Sequence, residues 1–124
     1  MQSYTLSNGV TIVNVTPHDL TFATASGDLE TAPKSGVIIS ATATEVTEVE
    51  NGVTFSTPTF IPSAEGEQAL AAISAACPGA IVVGSLIAAQ AYRGRVVGMV
   101  AAPGYERVAP AEKRMDPAKF ARFN

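Results

Sequence analysis

The chain has 124 residues, a length that forms one domain and can bury a core without disulfides or metals. Its formal net charge of −3 argues against binding to nucleic-acid polymers, because such binding needs cations to neutralise phosphates. The chain holds one cysteine, Cys77, and one histidine, His18, so it offers neither an internal disulfide nor a zinc centre built from these ligands. We therefore predict no metal and no cofactor.

Charged residues make up only 15% of the chain, while hydrophobic residues make up 47%. A surface with so few charges favours contact with further copies of the same chain, and we predict a homo-oligomer. The longest apolar stretch, residues 80–92, is interrupted by Gly84, Ser85 and Gln90. Because the N-terminus also lacks a charged segment followed by an apolar one, we expect an intracellular protein without a membrane partner.

The N-terminal part of the chain predicts two strands joined by a tight turn. "VTIVNV" (10–15) is rich in β-branched residues, and "LTFATA" (20–25) alternates apolar and small polar residues. The intervening "TPHD" has turn chemistry, since Pro17 restricts its own φ and the Asp19 side chain can hydrogen-bond nearby backbone.

The middle of the chain predicts a hairpin followed by a helix. The composition of residues 26–36 indicates a loop, and "VIIS" (37–40) indicates a short strand. Asn51 and Gly52 predict the turn of a β-hairpin, because both central positions of such a turn favour φ > 0. The pattern then changes to helical spacing within 65–76, with Ser63 as a capping residue.

The C-terminal part of the chain predicts a strand (80–84), a short helix (85–92) and a further strand (93–104). After these, Pro110 and Pro117 accompany five basic and three acidic residues, so the segment carries +2 and the rest of the chain −5. We predict that residues 106–124 form an extended C-terminal arm that contacts a neighbouring copy.

These elements predict an α+β fold with a mostly antiparallel sheet and one or two helices packed on it. A single domain would span residues 1–105, and the arm of residues 106–124 would lie outside it.

The segment "IVVGSLIAAQAYRGR" indicates an anion site. Ser85 would begin a helix, and the free backbone N–H groups of a helix start attract phosphate. Arg93 and Arg95 follow within one helix length and could bind the same phosphate, since guanidinium groups suit it. The alternative is a simple serine cap with two solvated arginines, because the segment lacks the glycine pattern of a phosphate-binding loop.

His18 has two interpretations. As a functional residue it would be a base or a ligand-binding group, and as a structural residue it would hold the turn between two strands. A Ser85–His18–Asp19 combination lacks the sequence pattern around a nucleophilic serine. Since no complete catalytic set is visible, we predict a protein that is not an enzyme.

"VNVTPHDLTF" resembles the opening "NLTPH" strand and turn of a family of small proteins from bacteriophages and actinobacterial genomes. That family also has a "VVS-x-x-A" strand–helix step and a later "G-x-V-x-G" strand, to which "IVVGSLIAAQA" and "RGRVVGM" are similar. The resemblance covers the first strand and turn and residues 80–100. It implies a phage setting without a defined mechanism, and it points to Asn14, Thr16, His18 and Ser85 as the matched polar positions.

Two functions follow as hypotheses. The first is a phage accessory protein that binds a small phosphorylated or nucleotide-like ligand in the host cytoplasm without catalysis, such as a sponge for a host defence signal. Its ligand-binding residues would be the six polar positions named above: Asn14, Thr16, His18, Ser85, Arg93 and Arg95. The alternative is a phage structural protein of the virion, a capsid decoration or tail component, which the low charge and the C-terminal arm favour.

Overall fold

The computed structural model describes residues 1–124, which form nine strands and two α-helices. The strands are β1 (Tyr4–Thr5), β2 (Thr11–Asn14), β3 (Leu20–Ala23), β4 (Leu29–Ala32), β5 (Thr42–Glu50), β6 (Val53–Ile61), β7 (Ile81–Val83), β8 (Val96–Ala101) and β9 (Met115–Ala121). The helices are α1 (Ala64–Ala76) and α2 (Leu86–Ala91), and a short 3₁₀ helix spans Pro110–Glu112. The predicted mixture of a sheet with helices is confirmed, although its arrangement differs from the prediction.

Seven strands form one sheet in the order β1-β2-β7-β8-β9-β3-β4, and β5 pairs only with β6. Within the large sheet, β2–β7, β7–β8 and β3–β9 are parallel, while β1–β2, β8–β9 and β3–β4 are antiparallel. The sheet is therefore evenly mixed rather than mostly antiparallel. The parallel β7–β8 pair arises because α2 carries the chain back across the sheet before β8 begins, as parallel neighbours require.

The sheet curls until its two edge strands nearly meet, which makes it a nearly closed barrel. Glu30 on β4 joins the edges, because it accepts hydrogen bonds from the Tyr4 hydroxyl (3.1 Å) and from the Ser7 backbone N–H (2.9 Å). Burial of the Glu30 carboxyl acts to raise its pKa, but the hydrogen bonds from Ser7 and Tyr4 outweigh it and hold the pKa below its ordinary value.

Glu30→Gln is expected to lower the free energy of unfolding at neutral pH and to have a smaller effect in acid. Because the folded-state pKa of Glu30 is lowered, its contribution is present above the ordinary glutamate pKa of 4.5 and is lost as the pH falls through the folded value. Urea unfolding at neutral pH and at about pH 3.5 should show Glu30→Gln less stable than the parent at neutral pH, with a smaller difference in acid. Glu45→Gln, on the exposed hairpin, is the control, and an equal loss at both pH values would contradict the prediction.

The two faces of the sheet bury separate cores. The inner core receives side chains from all seven strands or their flanking residues: Leu6, Ile12, Leu20, Phe22, Ala32 and Val83, with Val97, Met99, Met115 and Phe120 packed against them. The outer core lies between β2, β7 and β8 and the two helices, and it contains Val13, Val15, Ile39, Leu70, Ile73, Val82, Ala88, Tyr92 and Val96. Neighbouring residues on one strand thus enter different cores, as the alternation of a strand requires.

Both predicted helices are confirmed, with serine caps that satisfy their first N–H groups. The Ser63 hydroxyl accepts from Gly66 N (3.0 Å) and starts α1, and the Ser85 hydroxyl accepts from Ala88 N (3.1 Å) and starts α2. Neither helix has the length and hydropathy that a transmembrane span requires.

The predicted hairpin is also confirmed. Asn51 has φ 50° and Gly52 has φ 77°, which are the positive values that a tight two-residue hairpin turn needs. Strands β5 and β6 pair over nine positions from Glu50–Val53 to Thr42–Ile61. Their residues are exposed along both strands, apart from the half-buried Phe60. The hairpin is therefore attached to the barrel near its base and solvated beyond it.

The prediction of an extended arm over 106–124 is wrong for residues 115–121. These residues form β9, which lies inside the sheet between β8 and β3. Pro117 is tolerated there because the β8–β9 pairing shifts register between Met99 and Ala101, and a proline at such an irregularity withholds no ladder N–H. The apolar side chains of Met115 and Phe120 then pack on the inner core.

Two smaller expectations also differ from the structure. Residues 29–32, expected in a loop, form β4, because pairing with β3 and the Glu30 contacts stabilise a short polar strand. Residues 37–40, expected as a strand, form none. Ile39 N donates a single hydrogen bond to Val15 O (3.1 Å), and the Ile39 side chain is buried in the outer core.

Candidate functional site

The polar residues of the "NVTPH" segment form one hydrogen-bonded network at the carboxyl end of β2. Asn14 is 2% exposed, and its Nδ2 donates to the His18 carbonyl oxygen at 2.7 Å. Asn14 Oδ1 accepts from Thr16 N at 3.0 Å and lies 2.6 Å from the Thr16 hydroxyl. The oxygen and the nitrogen of the Asn14 side-chain amide therefore both have hydrogen-bond partners. Asn14 and Thr16 thus stabilise the turn that follows β2.

His18 takes part in this network through its backbone. Its carbonyl oxygen accepts from Asn14, and its N–H lies 3.3 Å from the Thr16 hydroxyl. The residue itself is exposed, and no hydrogen bond joins its imidazole to the protein. Asp19 fixes the far side of the turn, because its Oδ1 accepts from Lys34 N at 3.0 Å. The geometry of the turn therefore depends on the backbone of His18 rather than on its ring.

Ser85 lies at the same end of the barrel as this turn. β2 and β7 are parallel, with Asn14 opposite Val83, so the segments that follow them emerge side by side. Thr16, Pro17 and Ser85 line a cleft of about 390 Å³, whose remaining lining is mainly apolar: Val15, Ile38, Ile39, Ser40, Ala41, Phe60 and Ile87. Thr16 and Ser85 therefore lie in the same cleft.

The two arginines lie elsewhere. Arg95 precedes β8 and forms a two-point ion pair with Glu67 on α1, with nitrogen–oxygen distances of 2.5 and 2.7 Å. Hydrogen bonds from Arg95 have the largest influence on the Glu67 carboxyl and lower its pKa, against the opposing effect of burial. Arg93 Nε donates to Gln90 O at 3.1 Å. Both guanidinium groups therefore already bind groups of the protein.

The structure places Ser85 and the two arginines at opposite ends of α2. Ser85 follows the carboxyl end of β7, whereas Arg95 precedes the amino end of β8, and these strands are parallel neighbours. The six residues of α2 separate the serine from the arginines by about 9 Å along the helix axis, at 1.5 Å per residue. The separation follows from the connection itself, because a helix between parallel strands runs the length of the sheet.

Two further surfaces were missed by sequence reasoning. One is an apolar face of the hairpin, for which the cross-strand register was needed. The other is a shallow pocket at the barrel end opposite the Ser85 cleft, lined by residues from β7, β8 and β9 and from the segments that flank them. This pocket could not be predicted without the strand at residues 115–121, and Pro110 and Pro117 had argued against a strand in that part of the chain.

No family model, curated protein or solved structure matches the chain. Functional proposals for this protein therefore rest on its own residues and geometry.

Proposed function

We propose that this protein is a structural subunit that assembles with further copies of itself through the β5–β6 hairpin. The observation that supports the proposal is the exposure of a hairpin with an apolar face. Beyond its base, where β6 lies beside α2, the hairpin has neither a third strand nor a covering helix, and a two-stranded hairpin alone is at best marginally stable in water. A surface of another copy would supply the missing contact.

Four of the five large, exposed apolar residues of the hairpin lie on one face, and Val49 lies on the other. Directly paired residues share a face in an antiparallel ladder, and the register places Val46, Val53, Phe55 and Ile61 on the same side. These side chains are 70%, 52%, 53% and 41% exposed, respectively. We call this side, from Ile61 to Val53, the apolar hairpin face. Clustered exposed apolar residues with polar neighbours are typical of protein interaction sites.

A structural role agrees with the second hypothesis from the sequence, a capsid decoration or tail component of a phage. Such components function as homo-oligomers, and an exposed hairpin is a suitable element to connect neighbouring subunits. The phage setting itself depends on the resemblance of the "NVTPH" segment and stays a prediction, as does a location in the virion rather than the host cytoplasm.

The binding of a phosphorylated ligand, the first hypothesis, also stays a prediction. The proximity of Thr16 and Ser85 in one cleft favours it. The apolar lining of that cleft, the capping bond of the Ser85 hydroxyl and the distance to Arg93 and Arg95 favour the assembly role more.

Val46→Thr is expected to weaken self-association by about tenfold, since burying a valine side chain contributes about 1.5 kcal/mol or more. Threonine keeps the β-branched shape, so the hairpin itself should persist. Val49→Thr is the matched control, because Val49 lies on the same strand with 68% exposure but on the opposite face. Sedimentation velocity over a concentration series measures both variants.

The double variant Val46→Thr with Phe55→Thr should be monomeric where the parent associates. A parent that is monomeric at high concentration would overturn the proposed function. Equal effects of Val46→Thr and Val49→Thr would show that the apolar hairpin face has no special role.

A further inference from the structure

The pocket at the amino ends of β7 and β8 opens onto the inner core of the barrel. Ile81, Val97 and Phe120 form an apolar floor, and each of them packs against the inner core. Arg95 and Arg122 lie at the edge of the same pocket, whose volume is about 400 Å³. We call these five residues the barrel mouth. Pockets at the ends of β-barrels are frequent binding positions.

The two arginines at the barrel mouth differ in their availability. Arg95 is engaged by Glu67 in the one ion pair of the protein. Arg122 is exposed, and it forms neither an ion pair nor a side-chain hydrogen bond with another residue. Arg93 lies nearby, since its NH1 group donates to the carbonyl oxygen of Asn124 at 3.3 Å. The barrel mouth therefore combines an apolar floor with a free cation at its edge.

The charge of the hairpin is opposite to that of the free arginine at the barrel mouth. Its residues 42–61 include three glutamates and no basic residue, so it carries −3. Glu48 pairs with Phe55 and Glu50 pairs with Val53, which places both carboxylates on the apolar hairpin face. Near the turn, this face thus presents exposed apolar side chains beside two carboxylates. Neither carboxylate forms an ion pair within the chain.

We propose that the apolar hairpin face of one copy binds the barrel mouth of a second copy, with Glu48 and Glu50 of the first copy facing Arg122 of the second. The proposal rests on the proposed function and specifies its partner surface. Phe55 and Val53 would cover the apolar floor, and the carboxylates would bind at its edge. Complementary charges at the edge of an interface direct its orientation and exclude competing arrangements.

The charges also argue against pairing of two hairpins with each other. A symmetric contact in which the tips of two apolar hairpin faces meet would bring Glu48 and Glu50 of both copies together without a cation. Like charges in direct contact across an interface are unfavourable. The barrel mouth avoids this repulsion.

The position of the two surfaces on one subunit makes the assembly head-to-tail. The base of the hairpin lies beside the Ser85 cleft, since Ala41 and Phe60 line that cleft at the carboxyl ends of β2 and β7. The barrel mouth lies at the amino ends of β7 and β8. Because different surfaces of each copy would meet, contacts that are not reciprocal would build a closed ring or an open filament.

The test exchanges the charges of the two surfaces. Arg122→Glu and the pair Glu48→Arg with Glu50→Arg are each expected to weaken association of the full chain by about tenfold or more, because each places like charges at the contact. The triple variant, with all three substitutions, should recover association because its charges are again opposite. Lys119→Glu is a control that also changes a basic residue of β9 to an acidic one, outside the barrel mouth. Sedimentation velocity at low ionic strength measures association, and circular dichroism checks that each variant is folded.

Recovery in the triple variant, with an undiminished association of Lys119→Glu, supports the proposal. Arg122→Glu that associates as the parent does would overturn it, even where Val46→Thr still weakens association. In that case the hairpin binds a different surface and the proposed function stands. A triple variant that remains dissociated while folded also overturns the pairing of these charges.

Discussion

Gly66→Ala is expected to destabilise the protein by about 2–4 kcal/mol, which is opposite in sign to the usual effect of replacing a helical glycine by alanine. A Cβ atom at position 66 would lie 1.8 Å from the Tyr92 hydroxyl oxygen and 2.6 Å from its ring carbon. Tyr92 is completely buried in the outer core, so its ring has no space to withdraw. Either α1 or the ring must move, and both movements disturb packed residues.

The same hydroxyl connects the hairpin to the helices. It accepts a hydrogen bond from Ser63 N at 2.9 Å and donates to Ser40 O at 3.2 Å. Ser40 precedes β5 and Ser63 follows β6, so one side chain holds both ends of the hairpin. Gly66→Ala should therefore loosen the hairpin base as well as the core, and hydrogen exchange at residues 42 and 61 should report it.

Urea unfolding of Gly66→Ala beside Gln68→Ala measures the effect. Gln68 is exposed on the same helix, and its replacement should change the free energy of unfolding by less than about 0.5 kcal/mol. If Gly66→Ala proves as stable as the parent or more stable, then α1 does not pack on Tyr92 as the structure has it.

Asn14→Ala is expected to destabilise the protein by about 2–4 kcal/mol, since it leaves buried groups of the turn without partners. The amide of Asn14 binds the Thr16 backbone N–H and the His18 carbonyl at the same time. Asn14 and Thr16 are 2% and 8% exposed, so water cannot readily replace these bonds in the folded protein. The free energy of unfolding is again the quantity to measure.

His18→Ala is the matched control for this turn. It keeps the backbone carbonyl that Asn14 binds and removes only the exposed imidazole, so a change below about 0.5 kcal/mol is expected. A large loss in His18→Ala, or a negligible loss in Asn14→Ala, would contradict this account of the turn. Because His18→Ala should remain folded, it also permits a direct test of whether the imidazole binds a ligand.

The sequence by itself determined the elements whose signals are local. Asn51–Gly52 sets the hairpin turn because its two residues adopt positive φ without help from the rest of the chain. Ser63 and Ser85 start the two helices because each hydroxyl binds an N–H three residues ahead. The proximity of Thr16 and Ser85, by contrast, follows only from the pairing of β2 with β7, which no local signal determines.

The tertiary structure alone decided which distant segments meet. Residues 29–32 and 115–121 have weak strand signals, and they became β4 and β9 because β3 and β8 offered them partners and the inner core accepted Met115 and Phe120. Strand pairing joins residues far apart in sequence, so the free energy that selects it is absent from any short stretch of the chain.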